Sequence, residues 1–162
     1  NESTSTFDIA LGIQAAINKG ANPINVSSGG TGDSPILSDL IANAYAQGII
    51  IYAAKGNDGG TDLIYPAAYP GVTAVTALDA YGQPTAYANK ANIPAIGAPG
   101  TSLIPFGGLT WMVQGTSPAT TYPTILTAYY MVQQHLSPLM ANQQLWRAPT
   151  RFTIPMGSTF GR

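Results

Sequence analysis

Ser117 is the hydroxyl best placed to act as a nucleophile. It stands in Gln114-Gly115-Thr116-Ser117-Pro118-Ala119-Thr120, between a strand-like run at 109–113 and a helix-like run at 118–135. A serine at that joint is expected to be the helix N-cap, with Pro118 in the first helical position, where its fixed φ and missing donor suit it. The hydroxyl would then sit at the positive end of a helix, where developing negative charge is favoured. The same geometry serves an ordinary capping serine, so the motif alone does not decide. Asn57 is the second group of interest. In Ala53-Ala54-Lys55-Gly56-Asn57-Asp58 it follows an apolar run at 49–54 and can donate an amide N–H to an oxyanion. Taken by itself, Gly56-Asn57-Asp58-Gly59 reads equally as a turn.

A nucleophilic serine needs a base. The chain holds a single histidine, His135, which lies 18 residues beyond Ser117 on what reads as the same helix. That separation is on the order of 27 Å along a helix, so His135 is expected to sit near a helix C-terminus, where a cation is mildly favoured. Lys55 is conceivable as the base of a Ser–Lys pair, but a lysine in such a loop more often sets specificity or lies at the surface.

These stretches, in this order and separation, resemble the subtilisin-like serine proteases. Two further pieces match in register, Ile24-Asn25-Val26-Ser27-Ser28-Gly29-Gly30 and Tyr65-Pro66-Ala67-Ala68-Tyr69-Pro70-Gly71-Val72-Thr73-Ala74-Val75, and the segment Tyr87-Ala88-Asn89 through Ala98-Pro99-Gly100 fits as well. The resemblance covers residues 5–135. It implies that Ser117 is the nucleophile and that Asn57 holds the oxyanion. It also implies that two backbone walls, at 27–30 and 53–56, flank a specificity pocket, so Ser27, Ser28, Gly29, Gly30, Ala54 and Gly56 become substrate-binding candidates. Glycines there would let a peptide backbone approach closely. The Tyr65-Pro66 bond is expected to be cis.

The chain departs from the family pattern in one large respect. The family's catalytic aspartate and histidine come from motifs preceding the matched portion, and no Asp-Thr-Gly, Asp-Ser-Gly or His-Gly-Thr-His occurs here. The resemblance therefore implies the C-terminal half of a protease domain, residues 1–148, followed by a tail at 149–162. A complementary polypeptide segment would supply the Asp and His, and a protein or peptide would be the substrate. The alternative is a structural or binding subunit that keeps the fold without catalysis. No cofactor is expected. Calcium enters only through the resemblance, because no run of acids here matches a calcium loop.

The elements that must position these residues can be read from periodicity. Ser5 and Asp8 have capping-box spacing, and Ile9, Ile13, Ala16 and Ile17 share a helical face up to Gly20. Ser34-Pro35 opens a second helix, with Leu37, Leu40, Ile41 and Ala44 as its buried stripe. Strands are expected at 23–27, 49–54, 72–78 and 93–96, a hairpin at 103–113 broken at Gly107-Gly108, and a last helix at 139–148. Residues 49–54 are apolar on both alternating faces, as in a parallel strand covered on both sides. The alternation gives an α/β, parallel-sheet, helix-flanked subtilisin-like fold. It would be incomplete without an N-terminal partner segment, leaving one sheet edge open along 23–27.

Composition narrows the function classes. Of 162 residues only 8% are charged, the formal net charge is −1, and cysteine is absent. Nothing in that balance favours nucleic acid or an anionic membrane, and no apolar run is long enough to span a bilayer. The chain starts at Asn1 rather than Met, which suggests a processed product or a fragment. Abundant Thr, Ser, Asn, Tyr and Gly with few charges suit an extracellular protein.

Overall fold

A computed structural model describes residues 5–147. The N-terminal helix α1 (Thr6–Asn18) is started by the expected capping box. Ser5 Oγ accepts from the Asp8 N–H, and the Asp8 carboxylate accepts from the Ser5 N–H. Helix α2 (Pro35–Ala46) starts with Ser34 as N-cap and Pro35 in the first turn. Ile13, Leu37, Ile41 and Ala44 bury the facing stripes of the two helices.

Four strands, β1 (Ile24–Val26), β2 (Ile51–Ala54), β3 (Val72–Leu78) and β4 (Ala95–Pro99), form one parallel sheet in that spatial order. Ile24 pairs with Ile51, Ile51 with Val72, and Ala74 with Ala95. Parallel strands need crossovers, and α2 supplies the one between β1 and β2. All four residues of β2 are buried, as its unbroken apolar run requires.

Several expected boundaries move. The strand expected at 93–96 is shifted: β4 begins at Ala95, after Pro94, which has no N–H to give to a ladder, and continues to Pro99. The long helix α3 (Thr116–Gln133) begins with Gly115, not Ser117, in the N-cap position. The helix also stops short of His135, which lies past its end with φ +52°. The ribbon runs slightly longer than expected, pairing β5 (Thr101–Phe106) with β6 (Leu109–Gln114) across Gly107-Gly108. Both turn glycines have positive φ, +62° and +77°, as a tight two-residue hairpin demands. Helix α4 (Pro138–Arg147) closes the described chain, and the expected tail at 149–162 lies outside the described residues. Tyr65-Pro66 is cis as expected; Asn22-Pro23 is cis as well, which the sequence reading did not flag.

The sheet separates two cores. On one face Ile24, Val26, Ile51, Ala53 and Ala74 meet α1 and α2. On the other, Ile50, Tyr52, Val75, Ala77, Ile96 and Ala98 meet α3 and α4 through Ala119, Leu126 and Leu145. Strand β1 is an edge, bonded only to β2. Between it and α1 runs an open groove of about 340 Å³, lined mainly by Ile9, Ile13, Ala16, Ile24 and Val26.

Candidate active site

The C-terminal ends of β1 and β2 and the N-terminus of α3 converge on one rim of the sheet. This is where parallel α/β folds place their ligands, because the loops there leave the strands free of the layers above and below. Ser27 continues β1, Lys55 to Asp58 continue β2, and Gly115 to Ser117 lead β6 into α3.

Ser117 is tied to the end of β1 by reciprocal bonds. Its Oγ donates to the Ser27 carbonyl at 2.9 Å, and Ser27 Oγ donates to the Ser117 carbonyl at 3.0 Å. The expectation that Ser117 caps α3 is thereby corrected. As the second residue of the helix it has its hydroxyl turned outward, and the helix is capped from another loop. Asn57 Oδ1 accepts the Thr116 N–H at 2.7 Å and the Thr116 Oγ1–H at 3.0 Å. Pro118 falls in the third helical position, where its missing N–H is still one of the donors no helical carbonyl would satisfy.

Those two bonds fix which way the Asn57 amide faces. A backbone N–H can only donate, so the oxygen and not the nitrogen must face Thr116. Nδ2, with both its hydrogens, has no partner among the described residues, and Asn57 as a residue is exposed. Thr116 Oγ1 in turn accepts from the Gly56 N–H at 3.2 Å. Gly115 has φ +151°, and a Cβ there would lie 3.1 Å from Asn57 Nδ2. Any larger residue would therefore crowd the amide as well as strain the turn.

Behind Asn57 the loop is held by side chains. Asp58 Oδ1 accepts from the Gly60 N–H and from Asn89 Nδ2, and these bonds hold the Asp58 carboxyl below its usual range. Asn89, almost wholly buried, also donates its backbone N–H to the Gly56 carbonyl. Thr116 and Asn89 are the site-forming residues that motif reading did not single out. The signal was present in both, since Thr116 is the centre of Gly-Thr-Ser and Asn89 ends the matched Tyr87-Ala88-Asn89.

The two candidate walls differ. Gly29 is needed because a Cβ would meet the Tyr65 carbonyl oxygen at 2.6 Å. Gly30 spends both backbone groups on Tyr65, at 3.0 and 2.8 Å. Ser27, Gly29 and Gly30 are exposed and Ser28 is half-buried, so this wall is accessible along most of its length. In the other wall Ala54 is buried, and Gly56 has its N–H and carbonyl committed to Thr116 and Asn89. Lys55 is buried as well, and desolvation lowers its ammonium below the ordinary lysine range. The structure gives Lys55 no bond to Ser117, whose hydroxyl is taken by Ser27. His135 is at the far end of α3 from Ser117, so it cannot serve as the base. Among the described residues no three His, Cys, Asp or Glu side chains come together to hold a metal ion. Calcium enters no step below.

A parallel sheet with a Gly-Thr-Ser turn feeding a central helix and an asparagine pinned beside it defines the subtilisin-like arrangement. Residues 1–147 match the model of the subtilase family, and the chain belongs to that family. It is 31% identical over 159 residues to subtilisin Savinase of Lederbergia lenta, covering 97% of this chain and 58% of the relative. It is also 31% identical to the minor extracellular protease Epr of Bacillus subtilis (strain 168), with 100% of this chain covered and 25% of the relative. The self-cleaved protease domain of PatA superposes with a TM-score of 0.81 at 31% identity, over 88% of this chain and 59% of that one. The chain thus spans between a quarter and three-fifths of the length of these relatives.

Proposed function

We propose that this chain supplies the nucleophile and the oxyanion donors of a serine endopeptidase. Ser117 Oγ attacks the carbonyl carbon of a peptide bond, and its proton passes to a histidine and from there to the leaving amine. The tetrahedral oxyanion is held by Asn57 Nδ2 and by the Ser117 backbone N–H, a first-turn donor that no helical carbonyl satisfies. The observation that carries this reading is the Thr116–Asn57 pair. It turns the amide nitrogen away from the helix and leaves it free one residue from the nucleophile. Ser27 and Ser28 begin the wall along which a peptide substrate would lie, with Ala54 and Gly56 supporting the opposite wall.

The histidine and its aspartate come from a complementary segment, on the same polypeptide or another. The groove between α1 and β1 and the open edge of β1 suit a strand added in parallel there. That segment's base must take the Ser117 proton now given to the Ser27 carbonyl. No cofactor is required. Relatives named as extracellular and cell wall-associated proteases support action outside the cell.

One observation favours a second reading, a non-catalytic binding subunit. The Ser117 hydroxyl is satisfied by a backbone carbonyl, and no described histidine or carboxylate reaches it. A fluorophosphonate probe on the native assembly separates the two. Under the protease reading Ser117 is labelled and Ser117→Ala abolishes labelling. Asn57→Ala slows it on the order of 10²–10³-fold, the figure known for a subtilisin's own oxyanion asparagine. Absence of labelling under conditions that label an active subtilase establishes the binding subunit instead. Amide exchange tests the partner independently: residues 24–27 should be protected only in the assembly, and equal protection in an isolated monomer would remove the partner strand.

A further inference from the structure

Ile64 stands between the two candidate walls, and neither the motifs nor the hydrogen bonds around Ser117 account for it. A Cβ on Gly29 would lie 2.9 Å from Ile64 Cγ2, and a Cβ on Gly56 would lie 2.8 Å from Ile64 Cγ1. The methyl branch of one side chain thus packs on the first wall and its ethyl branch on the second. The position is held from several sides. Tyr65 pairs with Gly30 through both backbone groups, and the Ile64 carbonyl accepts from the Ala68 N–H at 2.9 Å. A branched Cβ leaves the side chain few rotamers into which it could swing aside. The second wall cannot retreat either, because Gly56 is bonded to Thr116 and Asn89, both buried.

Resting on the peptidase reading, we propose that Ile64 is the floor of the specificity cleft and restricts the residue whose carbonyl is attacked to Gly, Ala or Ser. That carbonyl must lie beside Ser117 Oγ and Asn57 Nδ2. Ser117 is bonded to Ser27 at the start of the first wall, and Asn57 directly follows Gly56 in the second. The side chain of the attacked residue is therefore directed between the walls, into the space whose inner part Ile64 occupies. Glycines on opposite sides would otherwise leave a slot for a flat ring or a long aliphatic chain. With a sec-butyl group spanning that slot, a methyl or hydroxymethyl group fits. A larger group must displace packed atoms, which is a cost of overpacking rather than of lost contact.

The test compares peptide p-nitroanilides that differ only in the residue before the anilide, Ala against Phe, on the native assembly. The kcat/KM for Ala should exceed that for Phe roughly 100-fold or more. Ile64→Gly should raise the Phe value relative to the Ala value by roughly 10–100-fold, with Ile64→Ala falling between wild type and Ile64→Gly. Equal rates on the two substrates in the wild type overturn the proposal, and so does a ratio that neither variant shifts. Calorimetric binding of N-acetyl peptides ending in Ala or Phe reads the cleft without chemistry. Selective binding without cleavage removes the peptidase reading and keeps the role of Ile64. Cleavage without selectivity keeps the peptidase and removes that role. Binding of neither peptide, with no cleavage, overturns both.

Discussion

The two faces of the sheet are built differently. Under α1 and α2 the core is Ile, Leu, Val, Ala and one tyrosine, and apart from the Tyr69 hydroxyl, which bonds to Asp33 and Ser34, it asks mainly for volume and shape. Under α3 and α4 the packing is threaded with hydroxyls and amides. Thr116, Thr120 and Thr127 are fully buried on α3, and Tyr52, also fully buried, reaches up from β2. The Tyr52 hydroxyl lies 2.6 Å from Thr127 Oγ1 and donates to Asn142 Oδ1 at 2.9 Å. Asn142 is on α4, and its amide reaches Thr73 on β3 at 3.4 Å. Thr120 and Thr124 hydroxyls bond back to the carbonyls four residues earlier, around Pro123, which interrupts the helical ladder. Apolar contacts tolerate small slides, whereas hydrogen bonds fix a register. The helix that carries Ser117 lies on the face with the fixed register.

Truncation on the apolar face gives the largest expected loss. Leu37→Ala should cost about 2–5 kcal/mol, because Leu37 is almost completely buried and its neighbours can collapse only partly. Denaturant unfolding measures it, and a loss below ~1 kcal/mol would mean this face is looser than described. A smaller loss is expected across the sheet. Tyr52→Phe keeps the ring but strips Thr127 and Asn142 of their shared partner, for about 1–3 kcal/mol. If register is what this face provides, Tyr52→Phe should also slow Ser117 labelling in the folded assembly, and Leu37→Ala should not. Equal effects on labelling would erase the contrast.

The smallest effect concerns Lys55, the one buried cation on the rim. Burial lowers its folded pKa from 10.5, so the folded state disfavours the charge that the unfolded chain carries freely. The penalty is therefore present at neutral pH and fades as pH rises towards the unfolded value of 10.5. Lys55→Met should raise the unfolding midpoint at pH 7, with a gain that shrinks at higher pH. A loss at pH 7 instead would indicate an anion, from substrate or complementary segment, that pairs with Lys55.

Much of the scaffold was legible in the sequence because its signals are local. The Ser5–Asp8 box, Ser34-Pro35, the double-faced apolar run into β2 and the Gly107-Gly108 turn each act within a few residues, so composition and spacing suffice. Ser117 and Asn57 were legible as a pair because two short motifs stood in a familiar order. What capped α3 was not legible. A local rule assigned that role to Ser117, but Asn57, 59 residues earlier, takes the Thr116 N–H and frees the serine hydroxyl for Ser27. The start of β4 moved for a local reason, the donor missing at Pro94. The commitment of Gly30 to Tyr65 and the buried Tyr52–Thr127–Asn142 chain had no local sign, because hydrogen bonds between distant residues depend on which loops the crossovers bring to the same rim. The sequence by itself determined the elements and the chemistry available to them. The tertiary structure decided which donor faces which acceptor, because each polar group that leaves water takes whatever partner the fold places within about 3 Å.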